Sequence, residues 1–536
     1  MTVVQPRVAD WLAADPDPVT RAELSELITA RDEDGVNDRF AGRLAFGTAG
    51  LRAEMGAGPM RMNRLVVRQT AWGLARHLLE SSPDATTRGV LIGYDARRNG
   101  GVFAMDSARV FAALGVPAAL LPAAAPTPVL AFATGHREAV AGVMVTASHN
   151  PPADNGYKVF LADGSQIVSP HDVAIARSID EAPLSPDLAP VGHPLITTLD
   201  PSIVDDYLTM LRTSECAGPR PGRGASVVTA YTPLHGVAGP LVMRAFEQAG
   251  LSAPVVVAEQ FEPDGAFPTV AFPNPEEPGA MDLVIGLARS VDADIALAND
   301  PDGDRLGVAI PTGPSGAWRM LTGDEIGALL ADHVLSHTSG ADRLVVTTLV
   351  SSTLLGKMAT AAGVHYAESF TGFKWIADAV RSRPELRFVF GYEQALGYLL
   401  TPTPVDKDGI GAAVVMAHIA GAATTEGRSI EDLLDDLAAR FGRHRTAERS
   451  VRLPPAAGRV VVAHLRSHPP ESLAGVVVTD VSWFEEAGLL RLQCGPNVRV
   501  QVRPSGTEPK VKVYAEFVDG DPGPLADAVA EMLRTR

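Results

Sequence analysis

Charge-free apolar runs of strand length recur along this chain, and each stops abruptly at a loop rich in glycine, proline or carboxylates. Val90-Leu91-Ile92-Gly93-Tyr94, Ala141-Gly142-Val143-Met144-Val145, Ile295-Ala296-Leu297-Ala298-Asn299 and Phe388-Val389-Phe390 are examples, residues 118–121, 225–230 and 254–258 read the same way, and residues 343–349 read as a further strand that opens on Arg343. A strand without a polar face must be covered on both sides, so helices have to flank the sheets it builds. The intervening segments supply them: residues 65–79, 101–114, 240–249 and 352–362 have helical spacing, as does a helix through Leu335 capped by Thr322 or Asp324. Strand, helix, strand in repetition predicts an α/β fold.

A chain of 536 residues is too long for one core. We expect three consecutive related α/β domains plus a C-terminal α+β domain around a central cleft. The boundaries are read as 1–200, 201–318, 319–445 and 446–536, with short helices at 8–12 and 21–30 extending the first domain. A stretch rich in proline, leucine and aspartate, 181–201, reads as the first linker. The last segment differs: residues 460–465, 476–480, 489–493, 498–502 and 511–517 read as strands, followed by a helix at 524–534.

Composition removes several function classes. A net charge of −17 disfavours nucleic acid as a partner. Residues 111–133 carry no charge, but Pro117, Pro122, Pro126 and Pro128 break any spanning helix, so this stretch is read as strand and loop and no membrane is expected. The start of the chain has no signal-peptide pattern, and Cys216 and Cys494 form no CxxC, so a cytoplasmic protein is expected.

Four loops carry candidate chemistry. Thr146-Ala147-Ser148-His149-Asn150-Pro151-Pro152 follows the apolar run 141–145, and its prolines restrict the backbone around one hydroxyl. Fixed placement of a serine oxygen suits covalent catalysis, although an ordinary strand-to-turn junction uses the same residues. Asp300, Asp302 and Asp304 alternate along the loop after residues 295–299. Carboxylates this close repel unless a cation neutralises them, which points to a hard divalent ion rather than a solvated acidic turn. An EF-hand is excluded, because its sixth and twelfth positions are Arg305 and Pro311. Glu393, in Gly391-Tyr392-Glu393-Gln394-Ala395-Leu396-Gly397-Tyr398, suits recognition of sugar hydroxyls, with a surface turn as the competing reading. Arg503-Pro504-Ser505-Gly506-Thr507-Glu508-Pro509-Lys510 has the parts of an anion nest and lacks a nucleotide P-loop pattern. Lys158 is a candidate acid/base, against the plain reading of a solvated surface lysine.

With these loops in order, the chain resembles the α-D-phosphohexomutase superfamily of phosphoglucomutases and phosphomannomutases. Its Phe46-Gly47-Thr48-Ala49-Gly50-Leu51-Arg52 is similar to the start of the phosphoglucomutase-2-like group. The resemblance implies that Ser148 is a phosphoserine that exchanges its phosphoryl group with substrate. It implies Mg²⁺ held by Asp300, Asp302, Asp304 and a Ser148 phosphoryl oxygen, and a sugar bisphosphate (glucose 1,6-bisphosphate) as intermediate and activator. Arg52, His149 and Lys158 match positions around the phosphoserine, with Lys158 the acid/base. Glu393 matches the sugar-binding glutamate, and Arg503, Ser505, Gly506 and Thr507 match the phosphate grip. Gly372, Lys374, Ala395, Arg305 and Lys510 complete the expected substrate contacts.

Two positions depart from the pattern. Ala395 stands where many phosphoglucomutases have serine, removing one hydroxyl contact. Phe373-Lys374-Trp375 follows Gly372 where dual-specificity enzymes often place histidine, which favours glucose phosphate over mannose phosphate, with pentose phosphate also open. A monomer or homodimer acting on a small sugar phosphate is expected. A phosphosugar phosphatase is the alternative from another class, but its nucleophile belongs in an Asp-x-Asp-x-Thr/Val start that Asp304 does not fit. Ser148 also lacks the Gly-x-Ser-x-Gly elbow of a serine hydrolase.

Overall fold

Three mixed sheets follow one another along the chain, and each is built to the same rule. The structure, a computed structural model, describes residues 6–45, 50–217, 227–313, 316–403, 405–505 and 510–535. In the first sheet Ala141–Val145, Val90–Tyr94, Ala118–Leu120 and Ile196–Thr198 run parallel, and Asp154–Leu161 and Leu51–Glu54 join antiparallel. In the second, Ile295–Asn299, Thr229–Thr232 and Val255–Val256 are parallel, with Leu306–Thr312 and Ala317–Met320 antiparallel at one edge. The third pairs Arg343–Thr348 in parallel with His365–Ser369 and Arg387–Glu393, and Gly397–Leu399 turns back antiparallel.

In all three sheets a buried parallel strand therefore passes directly into an antiparallel neighbour. Parallel pairing needs a crossover helix, whereas antiparallel pairing tolerates a short loop. The loops 146–153, 300–305 and 394–396 are thus pinned by hydrogen-bond ladders at both ends, and each of the first three candidate loops begins or lies in one of them. Position at the carboxyl end of a buried strand is the usual ligand-binding place in open α/β sheets.

The helix Gly409–Thr425 joins the second and third domains. It is apolar on every side, which requires burial all round, and nearly all its residues are buried. It packs on Gly239–Ala249, Gly323–His337 and the strand Ile295–Asn299. Its first residue has to be glycine, because a Cβ there would lie 2.2 Å from the Arg305 carbonyl oxygen. One apolar cluster runs from Leu130 and Phe132 through Tyr231 and Leu297 to Ile326, Tyr392 and Met416, so the first three domains share a core.

The fourth domain is a separate antiparallel sheet, His444–Arg452, Lys510–Val518, Val498–Pro504, Leu489–Gln493 and Asp480–Phe484, with its own apolar cluster. Its junction with the third domain includes a polar network. Glu516 accepts hydrogen bonds from Ser352 Oγ (2.6 Å), Thr353 N (2.9 Å) and Arg499 Nε (2.8 Å), and lies 2.8 Å from His444 Nδ1. Burial alone would raise the Glu516 carboxyl, but the His444 hydrogen bond and the Arg499 charge bring it down to about 2. Arg499 and Gln501 also donate to the Leu349 carbonyl, at 3.2 and 2.8 Å.

Several expectations need correction. Residues 460–465, read as a strand, lie in the helix Pro455–Ser467. Gly458, Val461, Val462 and Leu465 bury one face at helical spacing, and this period outweighs the strand preference of consecutive valines. The proline-rich stretch 111–133 is not strand and loop throughout. A helix, Thr127–His136, begins there, with Pro126 as its cap and Pro128 in the first turn, where no backbone donor is lost. The linker 181–201 contributes an edge strand, Ile196–Thr198, to the first sheet. Residues 225–226 of the expected strand 225–230 lie outside the described residues, and the strand there is Thr229–Thr232. Residues 476–480 divide between Val476–Val477 and Asp480–Phe484. Thr322 caps the helix Gly323–His337 through a capping box with Glu325, while Asp324 accepts hydrogen bonds from Ser352 N (2.7 Å) and the Tyr392 hydroxyl (2.9 Å). Among the described residues, no helix is long and apolar enough to cross a membrane.

Candidate active site

Asp300, Asp302 and Asp304 leave the buried strand Ile295–Asn299, and all three are fully buried. One ligand atom from each lies within 4.8 Å of the other two. The loop is held by its own backbone and by the first domain. Arg305 N donates to Asp300 Oδ1 at 3.0 Å, and Asn299 Nδ2 donates to the Arg305 carbonyl at 2.7 Å. Thr127, the first residue of the helix Thr127–His136, donates from Oγ1 to Asp302 Oδ2 at 2.5 Å and from its amide to the Asp302 carbonyl at 2.8 Å. A helix amino terminus is a favourable place for an anion, so the first domain is built to receive this carboxylate.

Ser148 meets the aspartates directly. Its Oγ donates to Asp300 Oδ2 at 2.7 Å and lies 3.2 Å from His149 Nδ1. Burial, then the charges of Arg305 and Arg52, hold the His149 imidazole well below its ordinary value, so the ring is neutral. Ser148 itself is in the left-handed region, at φ +52°, uncommon for a residue with a side chain.

Two buried lysines balance the carboxylates. Lys158 Nζ, on the strand after the serine loop, lies 2.6 Å from Asp302 Oδ2 and 2.8 Å from Asp304 Oδ2. Lys407 Nζ lies 3.2 Å from Asp304 Oδ2. The carboxyls respond differently. Burial and the two neighbouring aspartates push Asp300 well above the usual range. Burial also acts on Asp302 and Asp304, but Lys158, aided by Thr127 at Asp302 and by Lys407 and Arg305 at Asp304, overcomes it and lowers both. Arg52, on Leu51–Glu54, is depressed by burial and lies within reach of the aspartate charges. Arg305 pairs with Glu276 at 3.6 Å.

Glu393 is buried rather than part of a surface turn, and it ends the strand Arg387–Glu393. Burial raises its carboxyl, while Lys407 and Arg305 act in the opposite direction, which places it electrostatically beside the aspartate loop. Backbone pairing joins the loops as well: Leu306 N donates to the Leu396 carbonyl at 3.1 Å, and Arg305 bridges Gly397. Ala395 is partly exposed in the turn after Glu393. Gly372, at φ +108°, precedes the helix Phe373–Arg381, whose Lys374 is buried with Nζ 5.5 Å from the Trp375 ring centroid. Burial lowers the Lys374 ammonium, and Asp172 of the first domain offsets part of that.

Arg503 and Ser505 stand where Val498–Pro504 ends. Arg503 Nη2 lies 3.5 Å from the Tyr514 hydroxyl, and Ser505 N donates to the Lys510 carbonyl at 2.8 Å. Gly506 and Thr507 lie outside the described residues. The structure therefore brings Ser148, His149, Lys158, Arg305 and the three aspartates together, with Arg52 and Glu393 in their electrostatic neighbourhood.

Sequence reasoning missed Lys407 and Thr127. Lys407 had a readable signal, since Asp406-Lys407-Asp408 stands immediately before a largely apolar helix. Thr127 had none, because its role depends on contact with a residue far away in sequence.

The carboxylates fit a divalent ion on two counts. Asp302 Oδ1 and Asp304 Oδ1 are buried and have no hydrogen-bond partner among the described residues. Their partnered oxygens already meet ammonium groups, so the site selects cations.

The chain matches models of four successive phosphoglucomutase/phosphomannomutase domains: alpha/beta/alpha domain I over residues 43–185, domain II over 205–313, domain III over 322–441 and the C-terminal domain over 475–535. A probable phosphomannomutase from Haemophilus influenzae is 40% identical over 484 residues, 88% of this chain and 96% of that protein. Human phosphopentomutase is 34% identical, covering 98% of this chain and 94% of its own. A Staphylococcus epidermidis phosphoglucomutase is 32% identical, covering 95% and 96%. In fold, the chain is similar to the crystal structure of a putative phosphomannomutase from Thermus thermophilus, with TM-score 0.71 at 23% identity over 92% of this chain and 99% of that one. A four-domain chain whose serine and aspartate loops meet in this way belongs to the phosphoglucomutase/phosphomannomutase family, and is an enzyme of phosphate transfer.

Proposed function

We propose that the protein interconverts hexose 1-phosphate and hexose 6-phosphate, with glucose phosphate as substrate, through a phosphorylated Ser148. The observation that carries this reading is the 2.7 Å contact between Ser148 Oγ and Asp300 Oδ2 inside a buried carboxylate cluster. A hydrolytic serine needs a base to remove its proton and ready access for water. His149 Nδ1, at 3.2 Å, could act as such a base, but Ser148 is buried against a carboxylate cluster with two oxygens unpartnered among the described residues, which limits water at Oγ and suits a serine that carries a phosphoryl group beside a cation.

Asp300, Asp302 and Asp304 would hold Mg²⁺ together with a Ser148 phosphoryl oxygen. When bound, the ion supplies neutralisation of the charge on the transferring phosphoryl group. In the first half-reaction the bond between phosphorus and Ser148 Oγ breaks as the free sugar hydroxyl bonds to phosphorus, giving a bisphosphate such as glucose 1,6-bisphosphate. Lys158 is the proton carrier in this reading. Held by Asp302 Oδ2 and Asp304 Oδ2, its Nζ as the amine would take the proton of the attacking sugar hydroxyl and pass it to Ser148 Oγ as the bond from that oxygen to phosphorus breaks. Glu393 would bind sugar hydroxyls, with Gly372, Ala395 and Lys374 around them. Arg503, Ser505, Gly506, Thr507 and Lys510 would grip the phosphate that is not reacting. Arg52 and Arg305 would attract the anion into an otherwise acidic protein. The bisphosphate then reverses its ends and returns one phosphoryl group to Ser148.

A second reading, pentose phosphate as substrate, has its own support in the 34% identity to human phosphopentomutase over 98% of this chain. The test is intact-mass measurement of wild type and Ser148→Ala, with turnover of glucose, mannose and ribose 1-phosphates. We expect one phosphoryl group on wild type, absent in the variant together with mutase activity, and the highest kcat/KM for glucose 1-phosphate. Sugar-phosphate hydrolysis without isomerisation would reject the mutase mechanism, and a preference for ribose or mannose would reject the glucose assignment alone.

A further inference from the structure

The serine loop has a strained backbone, and three of its main-chain carbonyls, with that of Asp154 at the start of the next strand, meet one buried side chain, Arg97. Arg97 Nη1 donates to the carbonyls of Pro151 (2.7 Å) and Asp154 (2.9 Å), and Nη2 donates to those of Ser148 (2.6 Å) and Asn150. The other edge of the guanidinium faces Asp95, with Nε 3.5 Å from Oδ2. Asp95 Oδ2 accepts from Thr146 Oγ1 at 2.6 Å, and Thr146 Oγ1 accepts from Ser148 N at 2.8 Å. Ser148 is therefore held through its amide by Thr146 and through its carbonyl by Arg97. Asp95 links the two by its hydrogen bond from Thr146, its ion pair with the guanidinium and a 3.0 Å hydrogen bond from Arg97 N to its Oδ1.

This network is covered from another domain. Phe267, which is buried, places its ring 4.9 Å from the Arg97 guanidinium carbon. It does so at φ +47°, a conformation a bulky residue keeps only when its surroundings impose it. Backbone meets backbone at this point, since a Cβ on Gly265 would lie 2.6 Å from the Ala96 carbonyl oxygen. The turn that presents Phe267 is tied back to its own domain. Asp264 N donates to the His235 carbonyl at 2.9 Å, and two residues on, Val237 N donates to the carbonyl of Pro301, between the metal-site aspartates, at 2.9 Å.

We propose that Arg97 is a positioning residue for phosphoryl transfer, and that Phe267 is the interdomain cap that keeps its guanidinium in place. Together they set Ser148 against the aspartate loop along a route independent of the Ser148–Asp300 hydrogen bond. This rests on the mutase reading given above. Only a planar guanidinium can serve several carbonyls in one plane and present a face to an aromatic ring, so lysine is not an equivalent.

The test uses full-length Arg97→Lys, Arg97→Gly and Phe267→Leu, assayed for kcat, KM and phosphate on Ser148. Arg97→Lys should lower kcat on the order of 100-fold, the scale of a misplacement of about 1 Å, with KM changed less than about threefold. Added methylguanidinium should restore part of the kcat of Arg97→Gly. Phe267→Leu keeps an apolar cap without the ring face and should lower kcat by roughly 3- to 10-fold, with KM held. Folded fraction is measured alongside by circular dichroism. The proposal is overturned if Arg97→Lys turns over within threefold of wild type, if kcat falls only in proportion to the folded fraction, or if KM alone rises. Absence of mutase turnover in wild type would instead reject the mutase reading, and the clamp with it.

Discussion

Replacing Thr127 with valine tests whether the first domain helps to build the candidate metal site of the second. Thr127 Oγ1 is buried and gives its hydrogen to Asp302 Oδ2 at 2.5 Å, the oxygen that also meets Lys158 Nζ at 2.6 Å. Valine has the same branched shape but no hydroxyl. The Thr127 amide still donates to the Asp302 carbonyl, so the loop path survives while the carboxylate loses one of its two anchors. A hydrogen bond to a charged group contributes about 1.5–3 kcal/mol, which converts to a roughly 10- to 100-fold change in binding. Loss of a hydrogen-bond partner behind a metal ligand has effects of the same size. We therefore expect Thr127→Val to weaken Mg²⁺ binding about 10- to 100-fold, measured by calorimetric titration and by the Mg²⁺ dependence of turnover. At saturating Mg²⁺ much of the activity should return. Mg²⁺ affinity within twofold of wild type, in a variant shown to be folded, would refute the claim that Thr127 orients Asp302.

Two further outcomes follow from buried acids outside the aspartate triad. Asp408 caps the helix Gly409–Thr425 through Ile410 N and Gly411 N and accepts from the Tyr207 hydroxyl, yet burial lifts its carboxyl from 3.8 to about 6. Since the folded value is the higher one, its favourable contribution is complete below about pH 3.8 and is lost as pH rises through 6, at a cost of order 3 kcal/mol. Asp408→Asn, which can still cap, should flatten that part of the stability profile between pH 4 and 6 in denaturant titrations, and an unchanged profile would contradict the assignment. Glu516→Gln leaves the buried Arg499 without its counter-charge and should loosen the fourth domain by about 3–5 kcal/mol. The expected readout is a separate, earlier calorimetric transition and faster proteolysis near residues 441–446; a single unchanged transition would count against a Glu516-centred junction.

What the sequence determined by itself was the set of local rules. Charge-free runs required covered strands, and the aspartates spaced by two after residues 295–299 required a counter-cation wherever they ended up. Chemistry written in neighbouring residues, as in residues 146–152 and 300–305, is legible because spacing along a strand and its loop constrains geometry directly. The errors arose where local preference met competing periodicity or position: residues 460–465 became helix because packing rewards the face, and Pro126 and Pro128 opened a helix because the first turn has no use for their missing donors.

Which distant residues act together was set by how the domains pack. Lys158 meets Asp302 and Asp304, Lys407 reaches Asp304 from beyond the third sheet, and Thr127 anchors Asp302 from another domain. Nothing in the spacing of these residues announces a contact, because each domain brings its own loop and only the shared core of the first three domains fixes them relative to one another. The same holds for Arg97, since residues 95–100 after a buried strand fit a functional strand-end loop and a solvated turn equally well in sequence. Folding makes it the common donor for four carbonyls, because the loop it holds has turned its polar backbone away from water and must satisfy it inside.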